Sequence, residues 1–131
     1  MKGYIANIEE VTKENNNFRK VLYTGKNSQL VVMSINPGEE IGAEVHKLDQ
    51  FIRIEEGEGS VILDGVEHVI KDGYAVVIPA GTNHNVLNSS NKVMKLYSIY
   101  SPAEHKDGII HVTKTDALND HDDHFDGKTT E

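Results

Sequence analysis

From residue 18 to residue 100 the chain repeats one pattern: a short apolar or β-branched run, then a break built from glycine, asparagine or aspartate. The runs fall at 18–23, 29–35, 42–46, 50–55, 60–63, 66–70, 75–78, 84–87 and 93–100. Strands spaced this closely leave no room for crossover helices, so the pattern argues an all-β sandwich or barrel. Asp64-Gly65 sits between two runs and predicts a tight hairpin turn whose backbone needs positive φ. The 75–78 run reads as a buried strand, and residues 4–11 as an opening strand or a short amphipathic turn. No helical period is visible before residue 113, where Thr113-x-x-Asp116 forms a capping-box pattern for one short helix. The expected organisation is one domain: an N-terminal strand or arm at 1–28, a β-barrel at 29–112, and a short helix with an acidic tail at 113–131.

A chain of 131 residues can bury a single core. It has no cysteine, which excludes disulfides and thiolate metal sites. The net charge is −8, and residues 116–131 carry −5 of it, with six acids against Lys128. No basic stripe offers a surface to nucleic acid or to anionic membranes, so neither is an expected partner. The longest purely apolar run, 75–80, is too short to cross a bilayer. Glu9 and Glu10 follow the first apolar residues too closely for a signal-peptide core, and a cytoplasmic location is expected.

Two constellations carry chemistry. In the first, Glu44, His46 and Gln50 lie between Gly38 and Gly57. With 42–46 and 50–55 as neighbouring antiparallel strands, Glu44 and His46 share a face, and the Lys47-Leu48-Asp49 connection returns Gln50 towards it. A carboxylate, an imidazole and an amide oxygen converging there are donors for a divalent metal. The second is Gly73-x5-Pro79-x-Gly81-x2-His84-x3-Asn88. Its glycines and proline bend the chain, and His84 then opens a strand.

This second spacing resembles the second motif of the cupin superfamily, with all five fixed residues in place. At about 5% usage per residue type, the chance of such a match is of order 10⁻⁷ per window. The first cupin motif, G-x5-H-x-H-x3,4-E-x6-G, fits at Gly38, His46 and Gly57, while Glu44 stands at its first histidine and Gln50 at its glutamate. The resemblance implies a single-domain jelly-roll β-barrel with a metal in its mouth. His46 and His84 are then implied ligands, with Glu44 and Gln50 at the other two ligand positions. Two imidazoles, one carboxylate and one amide leave a divalent ion at +1, as three imidazoles and one carboxylate do. The carboxylate has moved while the charge is kept. Such a mixed nitrogen and oxygen set suits manganese, iron, nickel, cobalt or zinc.

The function these readings imply is a metal-dependent enzyme on a small oxygenated substrate. It would be an isomerase or epimerase working through an enediol on a sugar-like compound, or a dioxygenase of a chelating enol. Glu44 is the candidate general base if it does not ligate the metal. A cupin group acting on pectin-derived uronates likewise tolerates glutamine at the glutamate position, which favours sugar chemistry. The alternative is a non-catalytic module that binds or senses a small ligand. His68 is expected to face solvent, and His105 and His111 to lie in a surface loop. The H-D-D-H run at 121–124 is expected in a mobile or helix-fringe tail. Arg53 is expected to point outward opposite an acid on the next strand. Tyr97 and Tyr100 fall on opposite strand faces, so at most one lines the pocket. Exposed sheet edges argue for a homodimer.

Overall fold

The computed structural model describes residues 2–131, and among these nine strands form two facing antiparallel sheets. The strands are β1 Arg19–Thr24, β2 Gln29–Ile35, β3 Asp49–Glu56, β4 Glu58–Leu63, β5 Val66–Lys71, β6 Ala75–Ile78, β7 His84–Leu87, β8 Met94–Ser101 and β9 Ile110–His111. The larger sheet runs β6-β3-β8-β2-β1-β9 and the smaller β5-β4-β7. Strands adjacent in space are often distant in sequence, because the chain passes back and forth between the sheets in the jelly-roll manner. Helix α1, Ile8–Glu14, packs against β3 and β8, and α2, Lys114–Asn119, lies beside β9.

Alternation decides what each strand buries. Val31, Met33 and Ile35 of β2, Ile52 and Ile54 of β3, and Met94 and Leu96 of β8 point into the space between the sheets. Val61, Ile70 and Val86 meet them from the smaller sheet. At one end of the sandwich the inward positions change character. Gln50 precedes Ile52 on β3, Ser98 and Tyr100 follow Leu96 on β8, and His84 precedes Val86 on β7. Gln50 is register partner to Tyr100, and Leu63 to His84, so these polar residues collect at the same end. The site is therefore a continuation of the core, built where the inward stripe turns polar.

Two loop features hold this frame. Asp64 and Gly65 adopt φ of 46° and 84°, joining β4 to β5 by the tight turn expected. Asn88, 1% exposed, donates through Nδ2 to the carbonyls of Ile35 (2.9 Å) and Lys92 (2.7 Å) and accepts from Ser90. That explains an asparagine at the end of the second motif: it satisfies backbone groups on both sides of a buried loop.

Several expectations are corrected. Residues 8–14 are helical, although no helical period showed before residue 113. Asn7 caps the first turn by accepting from the Glu10 N–H, Lys13 pairs with Glu9 at 2.8 Å, and only Thr12 is buried. A helix held by its cap and charges leaves no apolar stripe to read. The 42–46 segment does not pair with 50–55. Glu40 and Glu44 instead bridge to Leu87 and His84, while β3 pairs with β6 and β8. Gly42, at φ 113°, turns the chain along β7, and residues 45–48 carry it across to the larger sheet. The 75–78 strand is an edge strand buried on one face only: Val76 and Ile78 point in, and Val77 is 65% exposed. Arg53 meets Glu55 on its own strand at 3.0 Å, not an acid on the next one. The capping box at Thr113 and Asp116 is present and opens α2.

Candidate metal centre

Glu44 and His84 exchange both backbone hydrogen bonds, at 2.8 and 2.9 Å, so their side chains stand on one face. Extended backbone from 43 to 46 puts His46 on that face too, with Ala43 and Val45 turned to solvent. The His46 carbonyl accepts the Gly81 N–H at 2.8 Å, which ties the two sequence motifs together. One donor atom from each of Glu44, His46 and His84 lies within 4.8 Å of the others. The His46 and His84 rings are 5.1 Å apart.

Each imidazole has its outward nitrogen occupied. His84 Nδ1 is 2.9 Å from the Thr82 carbonyl, which can only accept, so Nδ1 carries the proton and Nε2 a free lone pair. His46 Nδ1 faces the Glu104 carboxylate at 3.5 Å. Such outer partners fix the tautomer of metal-binding histidines. His46 Nε2 lies 2.8 Å from Glu44 Oε2, yet it is buried without a partner in hydrogen-bond geometry. Two donors at about 2.1 Å from a common ion and at right angles would be about 3.0 Å apart, so this closeness fits shared coordination. Gln50, 4% exposed, reaches Ser98 Oγ through Nε2 at 3.2 Å, while Oε1 is buried and unpartnered. Whichever way the amide is turned, Ser98 satisfies only one end of it. The donor set thus fits a divalent ion: a carboxylate, two imidazole nitrogens, and beside them a buried amide with an acceptor to spare.

Electrostatics agree. Burial opposes the charged form of both Glu44 and His46, but their mutual contact outweighs it. Glu44 lies below the ordinary carboxylate range and His46 above the ordinary imidazole range. Burial pushes the Glu104 carboxyl up, with His46 opposing. Tyr100, 2% exposed, meets the His46 ring edge-on at 5.9 Å, and burial drives its hydroxyl far above the usual value. Tyr100 is thus the tyrosine of the pair that lines the site, whereas Tyr97 packs beside Phe51 at 6.2 Å.

The C-terminal region departs most from expectation. His68 is exposed as expected, but His105 and His111 are buried, at 6% and 4% exposure, not in a surface loop. In the 121–124 run, just beyond α2, His121, Asp122 and His124 are exposed, and Asp123 alone turns inward, where it accepts from His105 Nδ1 at 2.8 Å and from the Lys106 N–H at 3.1 Å. The reason is pairing, since the tail's acids meet buried histidines and Arg19. Arg19 can only donate, so its 3.3 Å contact makes His111 Nδ1 the acceptor, and Nε2 donates to Asp120 at 2.9 Å. His111, Asp120 and Asp123 also bring donor atoms within 4.8 Å. The Arg19 guanidinium, 4.0 Å from Asp123, already supplies positive charge there. Glu104, Ser98, His105, Asp123 and Arg19 were missed by sequence reasoning. No spacing rule links them, and only the polar break in the β8 inward stripe hinted at Ser98.

Comparison with known proteins agrees with this architecture. The cupin domain family model matches residues 31–100, and the chain belongs to the cupin family. It is 47% identical to YrkC of Bacillus subtilis over 124 residues, covering 89% of this chain and 67% of that protein. It is 45% identical to L612 of Acanthamoeba polyphaga mimivirus, covering 85% of this chain and 72% of that protein. The crystal structure of BH2720 from Bacillus halodurans superposes with a TM-score of 0.88 at 46% identity, covering 89% of this chain and 94% of that one.

Proposed function

We propose that this cupin is a metal-dependent enzyme acting on a small oxygenated, sugar-like molecule, by isomerisation or epimerisation through an enediol. Oxygenation of a chelating enol is the other chemistry the same donors support. The observation that carries this reading is the convergence of Glu44, His46 and His84, each histidine having its Nδ1 engaged on the far side. These three residues, with Gln50, would hold manganese, iron, nickel, cobalt or zinc. Bound there, the ion would act as a Lewis acid towards a carbonyl or vicinal diol. The Glu44 oxygens are either ligands or the proton acceptor the sequence suggested. Both arginines are committed, Arg19 to His111 and Asp123 and Arg53 to Glu55, which favours an unphosphorylated substrate. No helix among the described residues is long and apolar enough to cross a membrane. We further propose a cytoplasmic homodimer.

A metal-bearing binding module is the second reading. Tight closure favours it, since Gln50, His84 and Tyr100 are each no more than 4% exposed. Turnover against thermal stabilisation, across ketoses, uronates and enolic compounds with each metal, separates the two. The enzyme reading expects product with at least one pairing. Stabilisation by several metals with no turnover would favour the module.

A further inference from the structure

The His46 ring stands between two carboxylates, and only the inner one, Glu44, belongs to the metal donors. Nε2 lies 2.8 Å from Glu44 Oε2, and Nδ1, on the other side of the ring, lies 3.5 Å from Glu104 Oε2. Among the described residues the Glu104 carboxyl takes no hydrogen bond, and His46 is its one ion-pair partner. Acceptors on both sides leave the ring one favourable orientation, since a half-turn would put carbon where each nitrogen now stands.

A carboxylate near the surface is ordinarily free to swing, and ion pairs of that kind have little effect. Glu104 differs, because its peptide is held on both sides. Its N–H donates to Gln29 Oε1 at 3.3 Å, and its carbonyl accepts the Phe125 N–H at 2.9 Å. Gln29 is 1% exposed and also grips His105, accepting its N–H at 3.0 Å and donating to its carbonyl at 2.8 Å. Asp123 ties down the residues that follow, at His105 Nδ1 and the Lys106 N–H. What stays free at Glu104 is its own side-chain torsions. Neither Glu104 nor the C-terminal segment lies within residues 31–100, which match the cupin domain model, so this support is additional to the two motifs.

We propose that Glu104 is the positioning residue of the metal centre: it accepts from His46 Nδ1–H and keeps the Nε2 lone pair turned towards Glu44 and His84. The C-terminal segment, through the Phe125 N–H, holds Glu104 in reach of the ring. This rests on the metal reading above but not on turnover, so an enzyme and a binding module would use it alike. At 3.5 Å the pair lies just beyond ordinary hydrogen-bond length, within reach of a small side-chain rotation. A carboxylate behind an imidazole strengthens the ring as a ligand, and its removal weakens a metal site about 10- to 100-fold.

The test uses the full chain, with zinc and manganese as probes. Affinity is read by competition with a chelating dye, and the ring N–H groups by nitrogen-resolved NMR of the zinc-loaded protein. Expected in the natural protein are a protonated Nδ1 and a zinc-bound Nε2 on both His46 and His84. Glu104→Ala should weaken metal binding about 10-fold or more, with folding retained by circular dichroism. In that variant the His46 Nδ1–H should exchange faster with solvent, while the His84 Nδ1–H, held by the Thr82 carbonyl, should not change. Glu104→Gln keeps an oxygen that accepts and should recover most of the affinity. Phe125→Pro removes the donor to the Glu104 carbonyl, so it should weaken metal binding in the natural chain and add nothing in Glu104→Ala. Undiminished affinity in Glu104→Ala, Glu104→Gln no better than Glu104→Ala, or His46 bound to zinc through Nδ1 would overturn the proposal alone. Unchanged affinity in Phe125→Pro would overturn the part given to the C-terminal segment. A natural protein that takes up neither metal would overturn the metal reading and this inference with it.

Discussion

Replacing Gln50 separates stability from metal binding. In metal-free protein Gln50 Oε1 is buried without a partner, an arrangement that costs about 1–3 kcal/mol. Gln50→Leu removes that orphan and extends the apolar stripe of Ile52 and Ile54, but it strands Ser98 Oγ, whose contact is Gln50 Nε2. The two effects are of similar size, so the single variant should unfold within about 1 kcal/mol of the natural protein in chelator. Gln50→Leu with Ser98→Ala removes both polar groups and should be more stable by about 1–2 kcal/mol. With metal most of that gain is offset. Loss of a ligand weakening affinity tenfold lowers the stabilisation at a fixed metal concentration, set at 100 times the natural Kd, from about 2.7 to about 1.4 kcal/mol. Urea unfolding with EDTA and with manganese reads both quantities. A double variant destabilised by more than about 2 kcal/mol in chelator, or one with undiminished metal affinity, would refute the reasoning.

Asn88→Ala leaves the buried Ile35 carbonyl without its donor and should lower stability by about 2–3 kcal/mol in urea unfolding, with m unchanged. Gly59→Ala should cost about 1–3 kcal/mol or more, because a Cβ there would collide with the Leu87 carbonyl oxygen across the β4–β7 pairing. Acid should loosen the C-terminal segment. His105 and Asp123 both have folded pKa values below their unfolded ones, so their contribution is whole above about pH 6.5. It declines as pH falls, first through His105 and then, below about pH 4, through Asp123. Denaturation midpoints measured from pH 7 to 3 should fall less steeply for Asp123→Asn.

What could be read in advance follows from where the information lies. Strand spacing and the Asp64-Gly65 turn are local, so the strands and their hairpin were legible. The second motif was legible because Gly81, His84 and Asn88 each answer a backbone demand within a few residues. Pairing was not: whether 42–46 joins 50–55 or β7 depends on the direction the chain takes after Gly42, which no side-chain pattern reports. Helix α1 was hidden because its cap and its Glu9–Lys13 pair, not an apolar stripe, hold it together. The His105–Asp123 and His111–Asp120 pairs were hidden for a related reason. Acids in a polar tail look solvated until partners from the barrel and from Arg19 are placed beside them.

Elemental analysis of protein purified without added metal or chelator tests the central claim most directly. The natural chain is expected to carry close to one transition-metal ion per chain, and Glu44→Ala and His84→Ala much less, with folding retained by circular dichroism. A natural chain free of metal that also fails to take up manganese, nickel or zinc on dialysis, or a Glu44→Ala variant with undiminished content, would contradict it.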